Sequence, residues 1–150
     1  MEQVRIQKKL ILKGPGGLKS AIDSSFIPGT KITVIEKRDD FTRNNVMHLW
    51  RYSVDELKSI GIKTFYRKFC SGGMFHIGIK RLQFILFKIA LILGVKFHFG
   101  ISFESIETPM KPELNWTCKT NPELNYGLSY NVLVRYIRSL IFNSEGDLKW

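Results

Sequence analysis

The sequence predicts an α/β fold built on a strand–helix–strand unit, and three stretches carry that prediction. Leu10-Ile11-Leu12 is a short apolar run ahead of a glycine turn, Gly14-Pro15-Gly16-Gly17. An amphipathic segment follows, with Leu18, Ala21 and Ile22 sharing one helical face. The β-branched run Lys31-Ile32-Thr33-Val34-Ile35 then ends in an acid, Glu36. Strand, glycine turn, helix, strand and terminal acid is the order of a Rossmann-like dinucleotide-binding βαβ unit, in which the acid lies about 20 residues past the turn. Backbone N–H groups at the helix start hold a pyrophosphate there, and the acid accepts hydrogen bonds from a ribose diol. The expected ligand is therefore an adenine dinucleotide at Glu36.

The totals agree with one globular domain. The chain has 150 residues, 44% hydrophobic and 24% charged, enough to bury a core. Its formal net charge of +10 implies an acidic partner: nucleic acid, anionic membrane, acidic protein or a phosphate-bearing cofactor. Cys70 and Cys118 make neither a disulfide framework nor a metal spacing, and they fit a reducing compartment. The first residues lack the apolar stretch of a signal peptide, and no apolar run reaches the length of a membrane span.

Taken in order, the first strand delivers the chain into the glycine turn. A full G-x-G-x-x-G fingerprint has three glycines; Gly14 and Gly17 fill the second and third places, and Leu12 occupies the first. The first glycine makes the tight turn out of the strand, so leucine there is expected to strain the loop or weaken binding. An ordinary βαβ unit with a glycine-rich turn would read the same way. Phe26-Ile27-Pro28-Gly29 closes the helix. After Glu36, the donors Arg38, Arg43, Asn44 and Asn45 read either as contacts to ribose, phosphate or flavin, or as a solvated loop.

Ser53-Val54-Asp55-Glu56 has capping-box spacing and predicts a short helix from Val54 to about Ile60, stopped by Gly61. Residues 64–74 interleave rings and cations, as in RNA binders, but without a recognisable RNA module. Ile79 to Leu93 predicts the longest helix, apolar around nearly its whole circumference and hence core, ended by Gly94. Phe97, Phe99, Ile101 and Phe103 alternate with polar or small residues as one strand with one buried face. Trp116-Thr117-Cys118 and Tyr130 to Val134 predict further strands. No acid falls between Glu56 and Glu104, so the excess positive charge is concentrated there.

Searching for side-chain chemistry finds little. His48, His76 and His98 are far apart in sequence and poor in carboxylate neighbours, so no metal site is expected. There is no nucleophile elbow and no P-loop lysine, and Cys70 reads as packing. If chemistry occurs, a cofactor carries it.

One segment is far more specific than any glycine pattern. Residues 36–50, Glu36-Lys37-Arg38 through Arg43-Asn44-Asn45 to His48-Leu49-Trp50, resemble the EKRxxFxRNNVLHLW segment of the MICAL flavoprotein monooxygenases. Residues 65–70 and His76 to Gln83 resemble the same family, and the likeness extends over roughly residues 10–109. It implies the N-terminal part of an FAD-binding domain of p-hydroxybenzoate-hydroxylase-like fold, incomplete here: residues 1–134 as the partial domain and 135–150 as a divergent tail. It implies FAD as cofactor, NADPH as co-substrate, and oxidation of actin methionines that disassembles filaments. That places the protein in the cytoplasm with the cytoskeleton, with actin filaments rather than nucleic acid as partner.

Carried over by position, Gly14, Gly16 and Gly17 lie along the pyrophosphate and Glu36 on the adenosine ribose. Lys37, Arg38, Arg43, Asn44 and Asn45 line the FAD site, and Phe103 falls near the adenine end. Lys80 stands where the family has arginine, and Arg135-Tyr136-Ile137-Arg138 where it has a second FAD motif. The isolated chain is therefore expected to be inactive. The alternative is a non-catalytic nucleotide- or actin-binding module.

Overall fold

In the computed structural model, residues 7–12, 14–63, 75–107, 116–123, 128–130 and 132–134 are described. The aromatic and basic run at 64–74 and the tail from residue 135 lie outside them, as does Cys70. The glycine turn connects strand β1 (Gln7–Leu12) to helix α1 (Pro15–Ser25), and β2 (Thr30–Glu36) follows. The strands β1 and β2 pair in parallel, Leu12 opposite Ile35. Pro15 suits the first turn of α1, where its missing N–H would have no partner in any case. Leu18, Ala21 and Ile22 form the buried stripe that their spacing predicts, and Gly17 is buried beside them.

Between β2 and the next parallel strand, β5 (Lys96–Phe99), the chain makes an excursion. It comprises β3 (Val46–Leu49), α2 (Arg51–Ser59), β4 (Phe75–Gly78) and α3 (Ile79–Ile92). Both crossovers step the same way across the sheet, so right-handed connections put α1 and α3 on one face, where they pack together. Leu18, Ala21 and Ile22 meet Leu82, Leu86 and Ala90 there, over Ile32 and Val34 of β2. Ile35 is also buried but lies outside this cluster, so β2 is covered on both faces near its C-terminal end.

The rest of the chain is β6 (Ser102–Glu107), β7 (Trp116–Asn121), β8 (Leu128–Tyr130) and β9 (Val132–Val134). The first three form an antiparallel meander, and β9 joins the parallel sheet beside β1, giving the order β5-β2-β1-β9. This is a partial Rossmann-like unit.

Four expectations are corrected. The capping box does not form: α2 starts at Arg51 with Trp50 as its cap residue, and the Val54 N–H donates to the Trp50 carbonyl at 3.1 Å. Ser53 is already inside the first turn, where its hydroxyl has no free helix-end donor to receive. The run from Phe97 to Phe103 is two strands in two sheets, broken at Gly100, whose φ of 71° few side chains would accept. Tyr130 to Val134 is likewise two strands, β8 ending at Tyr130 in the meander and β9 starting at Val132 in the parallel sheet. Finally, α3 buries only the stripe Leu82, Gln83, Leu86 and Ala90, while Ile92 is 84% exposed, because neighbours among the described residues cover one side.

Lys19 ties α2 to α1. Its ammonium donates to Asp23 and to Glu56, each at 2.7 Å. Burial lowers its pKa, but the two carboxylates outweigh that and hold it above its ordinary 10.5.

Candidate functional site

Parallel pairing brings the C-terminal ends of β1, β2 and β5 to one edge, with Glu36 opposite Phe99. A cleft of about 240 Å³ opens at that edge. Gly14 and Pro15 line it from the turn, Glu36, Lys37 and Arg38 from the end of β2, Phe41 and Arg43 from the loop beyond, and Gln83 from α3. A crevice at the carboxyl ends of parallel strands is where this fold class receives ligands.

Gly14 is shaped for a close approach. Its φ of 146° with ψ 170° falls in a region essentially reserved for glycine, and a Cβ there would meet no atom within 4 Å. The absent side chain thus leaves open room at the head of α1, while the Gly14 carbonyl accepts the Leu18 N–H at 2.9 Å. Gly16 and Gly17 lie in the first turn of α1, and Gly17 is buried.

Glu36 is fixed by its backbone and left partly free at its carboxylate. The Ile101 N–H donates to its carbonyl at 3.0 Å, and the Arg38 N–H donates to Oε1 at 3.1 Å. A carboxylate has about four acceptor positions, so others remain for a ligand hydroxyl. Lys37, Arg38 and Arg43 stand beside it in the same cleft, a cationic lining suited to phosphate. Asp40 also lines the cleft, and its carboxylate accepts the Phe41 N–H at 2.6 Å.

Of the residues expected at a cofactor, Gly14, Glu36, Lys37, Arg38 and Arg43 line this cleft together. Asn44 lines a neighbouring cleft instead, and the Asn45 carbonyl accepts the Ile79 N–H at 2.8 Å, tying the loop to α3. Phe103 lies half-buried on β6, paired with Thr120, and is not part of the lining.

Of the wall residues that the sequence reading did not single out, two are buried. Phe41 is 6% exposed, with its ring 4.6 Å from Phe84 and 5.9 Å from Phe87, so it anchors the acidic and basic loop to α3. Gln83 is 8% exposed and was detectable as the polar residue on an otherwise apolar buried stripe.

The histidines need correcting too. Antiparallel pairing of β3 with β4 sets His48 opposite His76, ring centroids 4.4 Å apart, although 28 positions of sequence separate them. Among the described residues no three metal-ligating side chains gather. Burial pushes the Cys118 thiol up, which disfavours the reactive thiolate.

No protein-family model matches the chain. Individual proteins do. The [F-actin]-monooxygenase MICAL3 of Mus musculus is 45% identical over 118 residues, 76% of this chain and 6% of that protein. MICAL2 of Rattus norvegicus is 48% identical over 102 residues, 68% of this chain and 5% of that protein. The chain belongs to the MICAL-type family. It spans only about a twentieth of the length of these two relatives.

Solved structures agree on the fold of this MICAL-type segment. CtdE, crystallised in complex with FAD, superposes with a TM-score of 0.66 at 12% identity, covering 87% of this chain and 38% of that one. The tetracycline destructase Tet(51) gives 0.64 at 18% identity with the same two coverages, 87% and 38%. THI4 of Thermovibrio ammonificans gives 0.63 at 14% identity, covering 87% and 56%. Finally, no helix among the described residues is long and apolar enough to cross a membrane.

Proposed function

We propose that this chain is the FAD-binding portion of a flavin monooxygenase that uses NADPH to oxidise actin methionines and so promotes filament disassembly. The observation that carries the reading is the cleft itself, which unites Gly14 with Glu36, Lys37, Arg38 and Arg43. The kinship with F-actin monooxygenases supports the substrate and the cytoskeletal location.

The residues fit an adenosine diphosphate moiety. The bare Gly14 face gives room for a pyrophosphate, the three cations offset its charge, and Glu36 accepts from the ribose. The cleft's volume, about 240 Å³, is below the ~300–1,000 Å³ of pockets that enclose a drug-sized ligand. It therefore suits the adenosine half of the cofactor, and by position Asn44 and Asn45 would contact the other half. When bound, FAD supplies the redox chemistry, accepting hydride from NADPH and using oxygen to oxidise a thioether. This chain's own part is to bind and orient: Glu36 fixes the ribose, the glycine turn admits the pyrophosphate, and Phe41 holds the loop in place.

Residues 1–134 then form a partial FAD domain of p-hydroxybenzoate-hydroxylase-like fold, and 135–150 a divergent tail. With Leu12 at the first glycine position and Arg135 to Arg138 in place of a second FAD motif, the isolated chain binds flavin weakly and does not oxidise methionine. The same departures favour a second reading, a nucleotide- or actin-binding module without turnover.

The deciding test is the visible absorption spectrum of the purified chain after incubation with FAD and buffer exchange. A retained flavin band that Glu36→Arg abolishes supports the first reading. A folded protein that retains no flavin overturns it, and filament co-sedimentation without flavin supports the second.

A further inference from the structure

His48 and His76 stand directly opposite each other where β3 and β4 pair antiparallel, with ring centroids 4.4 Å apart and ring planes at 62°. Side chains alternate across the strands, so the two rings share the outward face with Val46, while Leu49 and Ile77 turn into the core. His48 is exposed and His76 half-buried, and neither lines the cofactor cleft or its neighbour. Two imidazoles bound to one ion at ~2.0–2.1 Å, with ~90–110° between the bonds, have centroids roughly 4.5–5.2 Å apart. The pair's 4.4 Å meets the lower end of that range, so side-chain rotation alone can aim one nitrogen of each ring at a shared ion.

We infer that His48 and His76 form a two-imidazole site for a divalent transition-metal ion of the Zn²⁺ class. Imidazole nitrogen suits zinc, copper and nickel, whereas Mg²⁺ and Ca²⁺ take oxygen ligands. A chelate uses one nitrogen of each ring and leaves the other to bond within the protein, the arrangement that orients metal-ligating histidines in general. Water completes the coordination on the open face, so the ion exchanges freely, unlike one enclosed by four protein ligands. The consequence lies in the strands it joins. The loop carrying Phe41 and Arg43 runs into β3, and β4 runs straight into α3, which carries Gln83. The Ile79 N–H already ties these segments by donating to the Asn45 carbonyl at 2.8 Å. An ion across His48 and His76 fastens them again three positions further along, and so steadies two walls of the first cleft. The site does not depend on what that cleft holds.

The test is a titration of the untagged, isotope-labelled full chain with zinc chloride, reading the imidazole signals of His48, His76 and His98. His48 and His76 are expected to shift together with one midpoint, reversed by excess EDTA. His48→Gln and His76→Gln keep a polar side chain without a ligating imidazole. Each should weaken zinc binding at the remaining ring at least about tenfold, because the second ligand no longer acts intramolecularly. Amide exchange at Ile79 should slow with zinc in the wild-type chain and not in either variant. A shift in only one of the two rings overturns the inference, as does a midpoint that His98 matches or that either variant leaves intact. An Ile79 amide indifferent to zinc overturns the clamp. Flavin retention is scored separately in metal-free buffer, so its failure and the failure of this inference are distinguishable.

Discussion

Glu36→Gln gives the sharpest account of what the first cleft binds. The carboxylate already accepts the Arg38 N–H at Oε1, 3.1 Å away, and glutamine keeps a carbonyl oxygen for that bond, so the loop should hold its course. What changes is the second oxygen, which becomes an NH₂ group and can no longer accept from a ribose hydroxyl. A hydrogen bond to a charged group contributes roughly 1.5–3 kcal/mol. At about 1.4 kcal/mol per tenfold, FAD affinity should fall by roughly 10- to 150-fold. Lys37, Arg38 and Arg43 share the cleft, so removing a negative charge strengthens their pull on phosphate and moves the expected loss toward the smaller figure. The assay is quenching of flavin fluorescence on titration with protein, run in parallel with FAD and with FMN. Because FMN has no adenosine, its affinity should be unchanged by the substitution. An equal loss for both flavins, or no loss for FAD, would refute the assignment of Glu36 to the ribose.

Other expectations are equally direct. Gly14→Ala forces a Cβ onto backbone at φ 146°, which should cost ~1–3 kcal/mol in thermal or urea unfolding, although no atom stands within 4 Å to clash. Unchanged stability would mean the turn relaxes to another conformation. Leu86→Ala empties a site 1% exposed and should cost ~2–5 kcal/mol, lowering the melting temperature by about 4–20 °C, whereas Ile92→Ser, at 84% exposed, should stay within about 0.5 kcal/mol. Lys19 has a raised folded pKa, so its tie between α1 and α2 is fully present below the unfolded value of 10.5 and is lost as pH rises through the folded one. An NMR titration of the Lys19 side chain should therefore show a midpoint above 10.5 that falls in Glu56→Gln, and an unmoved midpoint would exclude the bond. Cys118, its thiol held above the usual 9.0 by burial, should be alkylated slowly at pH 8 in the native chain and quickly in denaturant.

Local pattern explains which parts could be read in advance. The β1–α1–β2 unit announces itself through a glycine turn, a three-residue apolar stripe and a β-branched run, all within 30 positions. The place of Glu36 at the mouth of the cleft was legible because it depends only on ending that strand. The corrections share another cause, since each depends on partners distant in the chain. His48 meets His76 only through a strand pairing that spans α2 and the segment 64–74. Alternation from Phe97 to Phe103 looks continuous until Gly100 sends its two halves into different sheets. Phe41 sits in a charged loop, and only the approach of α3 makes it a wall residue. The uniform hydrophobicity of α3 gave no phase, and it is the positions of Leu82, Leu86 and Ala90 against α1 that decide which face is covered.

The seat of β9 has a consequence for how this chain comes to be folded. Lys9 aligns with Val132, so the strand that opens the sequence gains its second neighbour from nearly the last described residues. Until that neighbour arrives, β1 has one unpaired flank, a row of N–H and C=O groups able to recruit another chain. Contacts so distant in sequence also form late, because the loop entropy must be spent before they stabilise anything. On the ribosome, then, the first cleft can be assembled while β1 is still exposed on one flank. Shortening the chain ahead of Val132 should leave glycine turn and acid intact yet raise aggregation through β1, read by light scattering against the full chain.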